Sequence, residues 1–400
     1  MSDAEPHGAQ PDSATEKVGG RRRARPRRTH TVAKVLLASI LVLGMVSGLS
    51  TVFIYRHLNG NLTVLDINDQ IVGDRPEKKV VEGPKEPLNI LVMGSDSRDC
   101  DGCNIDNLTG GGQRSDTTIL LHLSADRKRA YGVSIPRDSM VDRPACKNAD
   151  GDVVPAASYQ MWNVAFSLGG PACTIQQFEH LTHIRVDHFV VVNFEGFRGM
   201  VDAIGGVEVC IPEPGIVDPA HGINIEPGTR KIKGQEALNY VRERYVVGNG
   251  SDIGRMKRQQ AFIASMAHQV LTAGTLANPV RIVKFLEAAT KSLTLDPDLG
   301  SLKKIGSLGY EFRNIGLDKI QFITIPNGAD PQDPNRLVWL PAADAVWQKL
   351  LDDEPLTKRL TTDAIKADNV PGSSSPSDGA SQSPQDEADK QALEDAGLCT

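Results

Sequence analysis

The chain has 400 residues, a formal net charge of −6 and six cysteines. Its first 34 residues hold eight Lys and Arg against four Asp and Glu, so the rest of the chain carries the acidic balance. An acidic chain lacks the basic surface on which nucleic-acid binding depends, and the composition therefore argues against nucleic acid as a partner.

The N-terminal segment predicts a membrane anchor. Residues 20–28 contain six arginines, and residues 35–55 follow without a charge. A helix of that length is about 31 Å long, close to the roughly 30 Å of a bilayer core. A cleaved signal peptide is the alternative, but its apolar core is shorter and ends in small residues, whereas this one ends in bulky residues. We therefore expect residues 1–34 to form a cytoplasmic basic tail, residues 35–55 a transmembrane helix in the cell membrane, and the remaining chain to be extracytoplasmic.

Beyond the anchor, the composition predicts three segments. Residues 56–87 are polar and contain Gly, Pro and Lys, which is typical of a stalk. Residues 88–353 are expected to form one domain, which is large but allowed for an α/β protein. Residues 354–400 lack aromatics and become rich in Ser, Gln, Asp and Glu, so we expect a mostly disordered tail.

Strand and helix patterns alternate within residues 88–353. Short apolar runs predict strands, and amphipathic spacing predicts helices. The predicted strands are residues 88–93, 117–123, 130–135, 189–194, 207–211 and 320–325, and the predicted helices are residues 171–184, 195–204, 234–243, 252–273, 300–314 and 340–352. The last strand is expected to close the sheet. This mixture indicates an α/β (α+β) fold with a central mixed β-sheet flanked by helices.

All six cysteines follow the predicted span, in a compartment that permits disulfides. Cys100 and Cys103 form one C-x-x-C pair, and no second pair at zinc spacing accompanies it. A loop staple is therefore favoured over a metal site. Cys146 with Cys173 is the expected second bridge, although connectivity does not follow from sequence.

Polar motifs follow or begin the first strands. Asp96 and Arg98 come directly after the first predicted strand, where ligands bind in α/β proteins. Arg114 follows a run of three glycines, and Asp116 lies where the next strand begins. Two carboxylates near a phosphate suit Mg²⁺, which takes one or two protein carboxylates together with phosphate oxygens. A turn with solvated charges is the alternative for Asp96 and Arg98.

Further arginines lie at the ends of later elements. Pro136 ends a strand and leaves Arg137 on a loop, where it either binds a ligand or pairs with Asp138 on the surface. Arg242 and Arg244 lie at the end of a predicted helix and can share a face only if the chain becomes extended there. One of them would then serve a ligand and the other a structural ion pair. Arginine is the residue best suited to bidentate recognition of phosphate.

The start of the next helix carries another polar group. Asp252 is a natural N-cap. Arg255, Arg258 and Gln259 are spaced to share one face, while Lys257 points elsewhere and is expected to be solvated. A helix N-terminus favours anions, so arginines there indicate an anionic ligand rather than a solvated face. Together the motifs predict a site for a pyrophosphate and its metal.

Taken in this order, the five motifs resemble those of the LytR-CpsA-Psr family of cell-wall phosphotransferases, actinobacterial type. The resemblance covers roughly residues 88–270, continues with weaker signals over residues 278–353 and includes the single N-terminal span. It implies an enzyme that moves a glycopolymer from an undecaprenyl-pyrophosphate carrier to peptidoglycan, at the 6-hydroxyl of N-acetylmuramic acid. The lipid would lie in an apolar tunnel between sheet and helices.

The resemblance also implies roles for the residues named above. Mg²⁺, with Mn²⁺ as the alternative, would be held by Asp96 and Asp116. Asp252, Arg137 and Arg242 would be catalytic, with Asp252 as the candidate proton acceptor. The pyrophosphate would be bound by Arg98, Arg114, Arg137, Arg242, Arg244, Arg255, Arg258 and Gln259.

Two other functions remain open at this point. A polyprenyl-pyrophosphate pyrophosphatase would use the same site with water as the acceptor. A non-catalytic receptor for anionic wall polymer would need the arginines but not the paired aspartates.

Overall fold

The structure is a computed structural model that describes residues 31–95, 115–271, 278–312, 314–372 and 384–400. For residues 116, 384–386 and 388 it describes the backbone alone. The chain divides into two compact units, Met1–Ile54 and Tyr55–Thr400. Helix α1 (Thr31–Gly60) contains the predicted span and is long and apolar enough to cross a membrane.

The second unit contains most of the secondary structure. The described strands are β1 (Thr63–Val64), β2 (Leu88–Ser95), β3 (Ser115–Leu123), β4 (Ala130–Ile135), β5 (Met140–Arg143), β6 (Cys146–Lys147), β7 (Val153–Val154), β8 (Ala157–Met161), β9 (His188–Asn193), β10 (Val207–Ile211), β11 (Ile216–Asp218), β12 (Ile223–Ile225), β13 (Gly228–Ile232), β14 (Leu293–Leu295), β15 (Ile320–Thr324), β16 (Asn327–Ala329), β17 (Leu337–Trp339) and β18 (Ile365–Lys366). The helices that follow α1 are α2 (Val164–Thr182), α3 (Phe194–Ala203), α4 (Gly234–Arg242), α5 (Asp252–Leu271), α6 (Pro279–Ser292), α7 (Leu302–Phe312), α8 (Pro341–Leu351) and α9 (Pro384–Asp395).

A mixed sheet of eight strands forms the centre of this unit. Its order is β1-β14-β9-β2-β3-β4-β15-β18, in which β2 is antiparallel to β3 and parallel to β9. Helices flank the sheet, so the predicted fold class is confirmed. Strand β10 is present as predicted, but it pairs with β13 in a separate two-stranded sheet.

The two faces of the sheet have different neighbours. Successive side chains of a strand point to opposite faces. Leu91 and Met93 of β2 belong to a buried core cluster that includes Phe178 of α2 and Trp347 of α8. The alternate residues of β2 therefore face the other layer, which is made by α3, α4 and α5.

The prediction of a stalk over residues 56–87 is wrong. Strand β1 joins the edge of the central sheet by pairing with β14. Arg75 Nε donates to Glu179 Oε2 at 2.9 Å, and Arg75 Nη2 donates to the Val186 carbonyl at 2.8 Å. The Glu179 side chain is only 3% exposed. Because a buried carboxylate needs a charged partner, this ion pair holds the polar segment against the domain.

The prediction of a mostly disordered tail is wrong for the described residues beyond 353. Strand β18 pairs with β15 and forms the edge of the sheet, so β15 does not close it as predicted. Ala396 and Leu398 are buried in a core cluster that includes Phe322 of β15. A few apolar residues are enough to hold this segment in place, because they pack against a core that the rest of the domain already forms.

Two disulfides lie in the described part of the chain. Cys146–Cys173 is confirmed as predicted. Cys210–Cys399 was not predicted, and it joins β10 to the C-terminus across a sequence separation of 189 residues. The predicted loop staple of Cys100 and Cys103 lies outside the described residues.

We predict that the Cys210→Ser/Cys399→Ser variant loses more stability than Cys146→Ser/Cys173→Ser. The chain-entropy contribution of a cross-link grows with the loop it closes, to about 4–5 kcal/mol for the longest loops and about 3–4 kcal/mol for short ones. Chemical denaturation of the two full-length double variants measures the difference. Equal midpoints for the Cys210/Cys399 variant and the unmodified protein would contradict a structural role for the C-terminal segment.

Candidate functional site

A cavity of about 860 Å³ lies between the central sheet and helices α3, α4 and α5. The sheet contributes Val92, Gly94, Thr117, Ile119 and Val192 to its lining. Apolar side chains of the helical layer line it at Phe194, Phe197, Met200, Leu238, Val241, Phe262, Ile263 and Met266. Charged side chains reach it at Arg242, Glu243, Arg244 and Arg255.

One face of helix α5 shows how polarity changes along the cavity. Arg255, Gln259, Phe262, Ile263 and Met266 all line it, at a spacing that places them on one side of a helix. The face begins with a cation and an amide and continues with apolar side chains. At 1.5 Å per residue, the path from Arg255 to Met266 is about 16 Å long. The cavity therefore has a charged mouth and an apolar interior.

The end of helix α4 places two arginines at this mouth. The helix ends at Arg242, and the next residue, Glu243, has the extended φ and ψ of −63° and 138°. Both Arg242 and Arg244 consequently line the cavity. This agrees with the expectation that they can share a face only where the chain is extended. The guanidinium of Arg242 lies 4.6 Å from the ring centroid of Phe194, and that of Arg244 lies 4.6 Å from the ring of Tyr245.

Asp252 links three arginines. Its Oδ1 lies 2.5 Å from Arg255 Nη2, 3.5 Å from Arg137 Nε and 3.8 Å from Arg244 Nη1. Arg137 Nε is also 3.5 Å from Asp138 Oδ2, so Arg137 takes part both in the predicted pair with Asp138 and in the site. One carboxylate thus holds guanidinium groups from a loop after β4, from the end of α4 and from α5.

The prediction that Asp252 caps helix α5 is wrong. The hydroxyl of Ser251 accepts the Gly254 N–H at 3.0 Å and so supplies the cap. Asp252 is the first residue of the helix. Its side chain is therefore available for the arginines, and its Oδ2 makes no hydrogen bond within the described residues.

Gln259 lines the cavity, but both ends of its amide contact protein. Its Oε1 accepts the Thr117 hydroxyl at 3.1 Å, and its Nε2 donates to the Val241 carbonyl at 3.0 Å. The side chain therefore ties the end of α4 to strand β3. This geometry gives Gln259 a positioning role at the predicted site.

Arg258 does not share the cavity-lining face with Arg255, contrary to the prediction. It is fully buried (0% exposed), its Nη1 donates to the Ala396 carbonyl at 2.8 Å, and its Nη2 donates to the Glu243 carbonyl. Burial lowers the pKa of Arg258 to about 10, against the opposing influence of Tyr240. Burial also raises the pKa of the neighbouring Tyr240 to about 12. Arg258 thus joins the end of α4 to the C-terminal segment.

The prediction that Lys257 is solvated is also wrong. The residue is 6% exposed, and its Nζ donates to Asp363 Oδ2 at 2.6 Å and to the Asp363 carbonyl at 2.7 Å. A helix projection shows only that Lys257 points away from Arg255. It could not show that another segment of the chain covers that side.

Four predicted site residues fall in or beside a segment outside the described part of the chain. Asp96, Arg98 and Arg114 lie outside the described residues, and only the backbone of Asp116 is described. Ser95 pairs with Ser115 at the ends of β2 and β3. The two predicted aspartates are the residues that directly follow these paired serines in the chain.

Several cavity residues have no distinct signal in the sequence. Glu243 lies between Arg242 and Arg244, and His221 belongs to no known histidine motif. Phe197, Phe262 and Met266 have the spacing of ordinary core residues. Their amphipathic pattern contains no signal that separates a packed interface from one with a cavity.

We predict that Arg258→Ala destabilises the fold, whereas Arg244→Ala spares it. Removal of Arg258 leaves two buried carbonyls without a donor and opens a void, at a cost of about 2–4 kcal/mol. The Arg244 side chain is 29% exposed, and its loss should cost less than about 1 kcal/mol. Chemical denaturation of the full-length variants measures both costs. An unchanged stability of Arg258→Ala would return Arg258 to the ligand-binding set.

Known proteins are similar to this chain in sequence and fold. Residues 54–351 match the LytR_cpsA_psr family. The chain is 31% identical over 262 residues to the cell wall biosynthesis protein LcpA of Corynebacterium glutamicum, a match that covers 60% of this chain and 49% of LcpA. The chain thus spans about half the length of that relative.

Two further proteins support the match. The chain is 30% identical over 239 residues to the polyisoprenyl-teichoic acid–peptidoglycan teichoic acid transferase TagU of Enterococcus faecalis, covering 59% of this chain and 71% of TagU. A solved structure of TagT bound to LIIa-WTA has the same fold, with a TM-score of 0.52 and 21% identity over 71% of this chain and 98% of TagT. The family match covers well over half of the sequence, and the chain therefore belongs to the LytR-CpsA-Psr family.

Proposed function

We propose that this protein is a transferase that moves a cell-wall glycopolymer from an undecaprenyl-pyrophosphate carrier to peptidoglycan. The observation that carries the proposal is the cavity, whose apolar interior and arginine-lined mouth suit a lipid chain joined to an anionic head group. The similarity to TagU, named as a transferase of polyisoprenyl-linked teichoic acid to peptidoglycan, supports the same assignment.

The interior of the cavity would hold the polyprenyl chain. Phe262, Ile263 and Met266 of α5 line one wall, and Val92 and Val192 of the sheet line another. Transfer of apolar surface out of water is favourable by about 25 cal/mol per Å². Burial of a hydrocarbon chain in this space would therefore lower the free energy of binding without a specific polar contact.

The mouth would hold the pyrophosphate. Arg242, Arg244 and Arg255 line the cavity there, and Arg137 reaches the same Asp252 carboxylate. Planar guanidinium groups can contact phosphate oxygens in pairs and neutralise the charge that develops on them during transfer. Arg98 and Arg114 are proposed to complete the set.

The reaction would be an attack on phosphorus. The 6-hydroxyl oxygen of N-acetylmuramic acid forms a bond to the phosphorus that carries the glycan. The bond from that phosphorus to the bridging oxygen breaks, and undecaprenyl phosphate leaves with the electron pair. The hydroxyl proton passes to a base, which we propose to be Asp252 through Oδ2, the oxygen that makes none of the three ion pairs.

Mg²⁺, or Mn²⁺ in its place, is part of the proposal, with Asp96 and Asp116 as its ligands. The ion would neutralise charge on the pyrophosphate oxygens. The pairing of Ser95 with Ser115 supports it, because these residues immediately precede the two aspartates. The proposed location is the cell membrane, with α1 as the single span, the basic N-terminus in the cytoplasm and the catalytic unit outside.

The function is tested by following the glycan in a reaction of full-length protein, lipid-linked donor and peptidoglycan fragments. Covalent attachment of the glycan phosphate to the fragment, with release of undecaprenyl phosphate, is the expected result. Release of free glycan phosphate in the presence of acceptor would indicate a pyrophosphatase. Binding without any product would indicate a receptor for wall polymer.

We predict that Met266→Trp makes the protein selective against long lipid chains. Met266 lies on the part of the α5 face farthest from Arg255, so a larger side chain there shortens the apolar interior. Binding of undecaprenyl pyrophosphate should weaken by at least about tenfold, while binding of farnesyl pyrophosphate should change little.

The matched variant for this experiment is Arg242→Ala, which should weaken the binding of both lipids. Competition binding with the two lipids separates the effects. If Met266→Trp binds both lipids like the unmodified protein, the chain does not enter the cavity along α5.

We predict that Arg137→Lys loses most of the transfer activity although it keeps the charge. Lysine lacks the planar fork that can contact Asp252 and a phosphate together. By analogy with arginine fingers, the loss in kcat could reach about 10³-fold. Arg336→Lys is the matched control. Arg336 also pairs with Asp138, through Nη1 and Oδ1 at 3.3 Å, but its second ion pair is with Asp333, whereas that of Arg137 is with Asp252. Similar activities of the two variants would assign Arg137 to a surface ion pair.

A further inference from the structure

A second group of possible metal ligands lies beside the charged mouth. Asp218 is the last residue of β11, His221 lies in the turn between β11 and β12, and Glu243 follows α4. One potential donor atom from each residue lies within 4.8 Å of the others. His221 and Glu243 line the cavity, so this cluster forms part of its rim.

Backbone N–H groups orient both carboxylates. Asp218 Oδ1 accepts the Ala220 N–H at 2.9 Å and the His221 N–H at 3.3 Å. Glu243 Oε1 accepts the Arg244 N–H at 2.8 Å and the Tyr245 N–H at 2.8 Å. Each carboxylate therefore uses one oxygen to fix its position, as in metal sites with an organised outer shell.

The two carboxylates are buried, and one of them contacts the imidazole. Asp218 Oδ2 lies 2.6 Å from His221 Nδ1. Asp218 is 5% exposed and Glu243 is 6% exposed. Two carboxylates that are both withdrawn from water and lie this close together repel each other unless a positive charge lies between them.

We propose that Asp218, His221 and Glu243 bind a divalent transition-metal ion of the Zn²⁺ class at the rim of the cavity. An imidazole nitrogen with two carboxylates is a donor set that Zn²⁺ accepts, whereas Mg²⁺ and Ca²⁺ prefer oxygen ligands alone. These three residues differ from the predicted magnesium ligands, Asp96 and Asp116.

Three protein ligands leave the ion with an open coordination position. Two of the three ligands line the cavity, so a molecule bound in the cavity could reach the ion. If the proposed function is correct, an oxygen of the pyrophosphate or of the attached glycan could occupy the open position. This last step rests on the proposed function, whereas binding of the ion by the empty protein does not.

The experiment is zinc titration of the full-length, untagged protein by calorimetry, without lipid or acceptor. An excess of Mg²⁺ is present throughout to occupy sites made of oxygen ligands. One equivalent of Zn²⁺ is expected to bind. His221→Ala should weaken this binding by more than the roughly 10- to 100-fold typical of losing a supporting outer-shell group. The side chain of His221 is 62% exposed, so this variant should fold.

Two variants make the result specific. Glu243→Gln keeps the shape and the acceptor oxygen of the side chain but loses the charge, and it should also weaken zinc binding. His180→Ala removes another exposed histidine, on α2 and outside the cavity lining, and should bind zinc like the unmodified protein. Anomalous X-ray scattering at the zinc edge would locate the ion between the three side chains.

Absence of stoichiometric zinc binding, or equal binding by His221→Ala and the unmodified protein, would overturn the proposal. In the first case, a protonated His221 between the two carboxylates would account for the cluster. Because the titration contains no substrate, its failure would leave the proposed transferase function intact. Conversely, zinc binding by a protein that transfers no glycan would retain the metal site and reject the function.

Discussion

The position of helix α5 depends on one buried guanidinium group. Arg258 donates to the backbone carbonyls of Glu243, just after α4, and of Ala396, in the C-terminal segment. A charge inside a protein is costly unless hydrogen bonds compensate it, so these segments must stay together around Arg258. Arg255 lies on the same turn of α5 and faces the cavity. The hydrogen bonds of Arg258 that stabilise α5 therefore also fix the position of Arg255 at the mouth.

The support for α5 comes partly from outside the region that matches the family. The match ends at residue 351, whereas Lys257 is bonded to Asp363, Arg258 to Ala396, and β10 to the C-terminus through Cys399. Asn249, in the loop between Arg244 and Asp252, also donates its N–H to the Asp395 carbonyl at 2.9 Å. The C-terminal residues thus contact the side of α5 that faces away from the cavity.

Charge at the mouth is organised around Asp252 before any ligand binds. Its Oδ1 is within 3.8 Å of nitrogen atoms of Arg137, Arg244 and Arg255, which come from separate parts of the chain. Guanidinium groups repel one another, and a shared carboxylate offsets part of that repulsion. The excess of arginines over carboxylates in the cavity lining would allow the mouth to be ordered and still attract an anionic ligand.

Local pattern determined the fold class, most element positions, the apolar N-terminal helix and the arginines near the site, because strand and helix periodicity and helix ends are encoded over a few residues. Tertiary structure alone decided which arginines face the cavity. Arg255 and Arg258 are separated by three residues and would share a face by spacing, yet one lines the cavity and the other is buried. The predictions of a stalk and of a disordered tail over the described residues are wrong for the same reason, because Glu179 and Arg258 lie far along the chain from the segments that provide their partners. Burial of a charge is a property of all the elements packed around it, and no short stretch of sequence contains them.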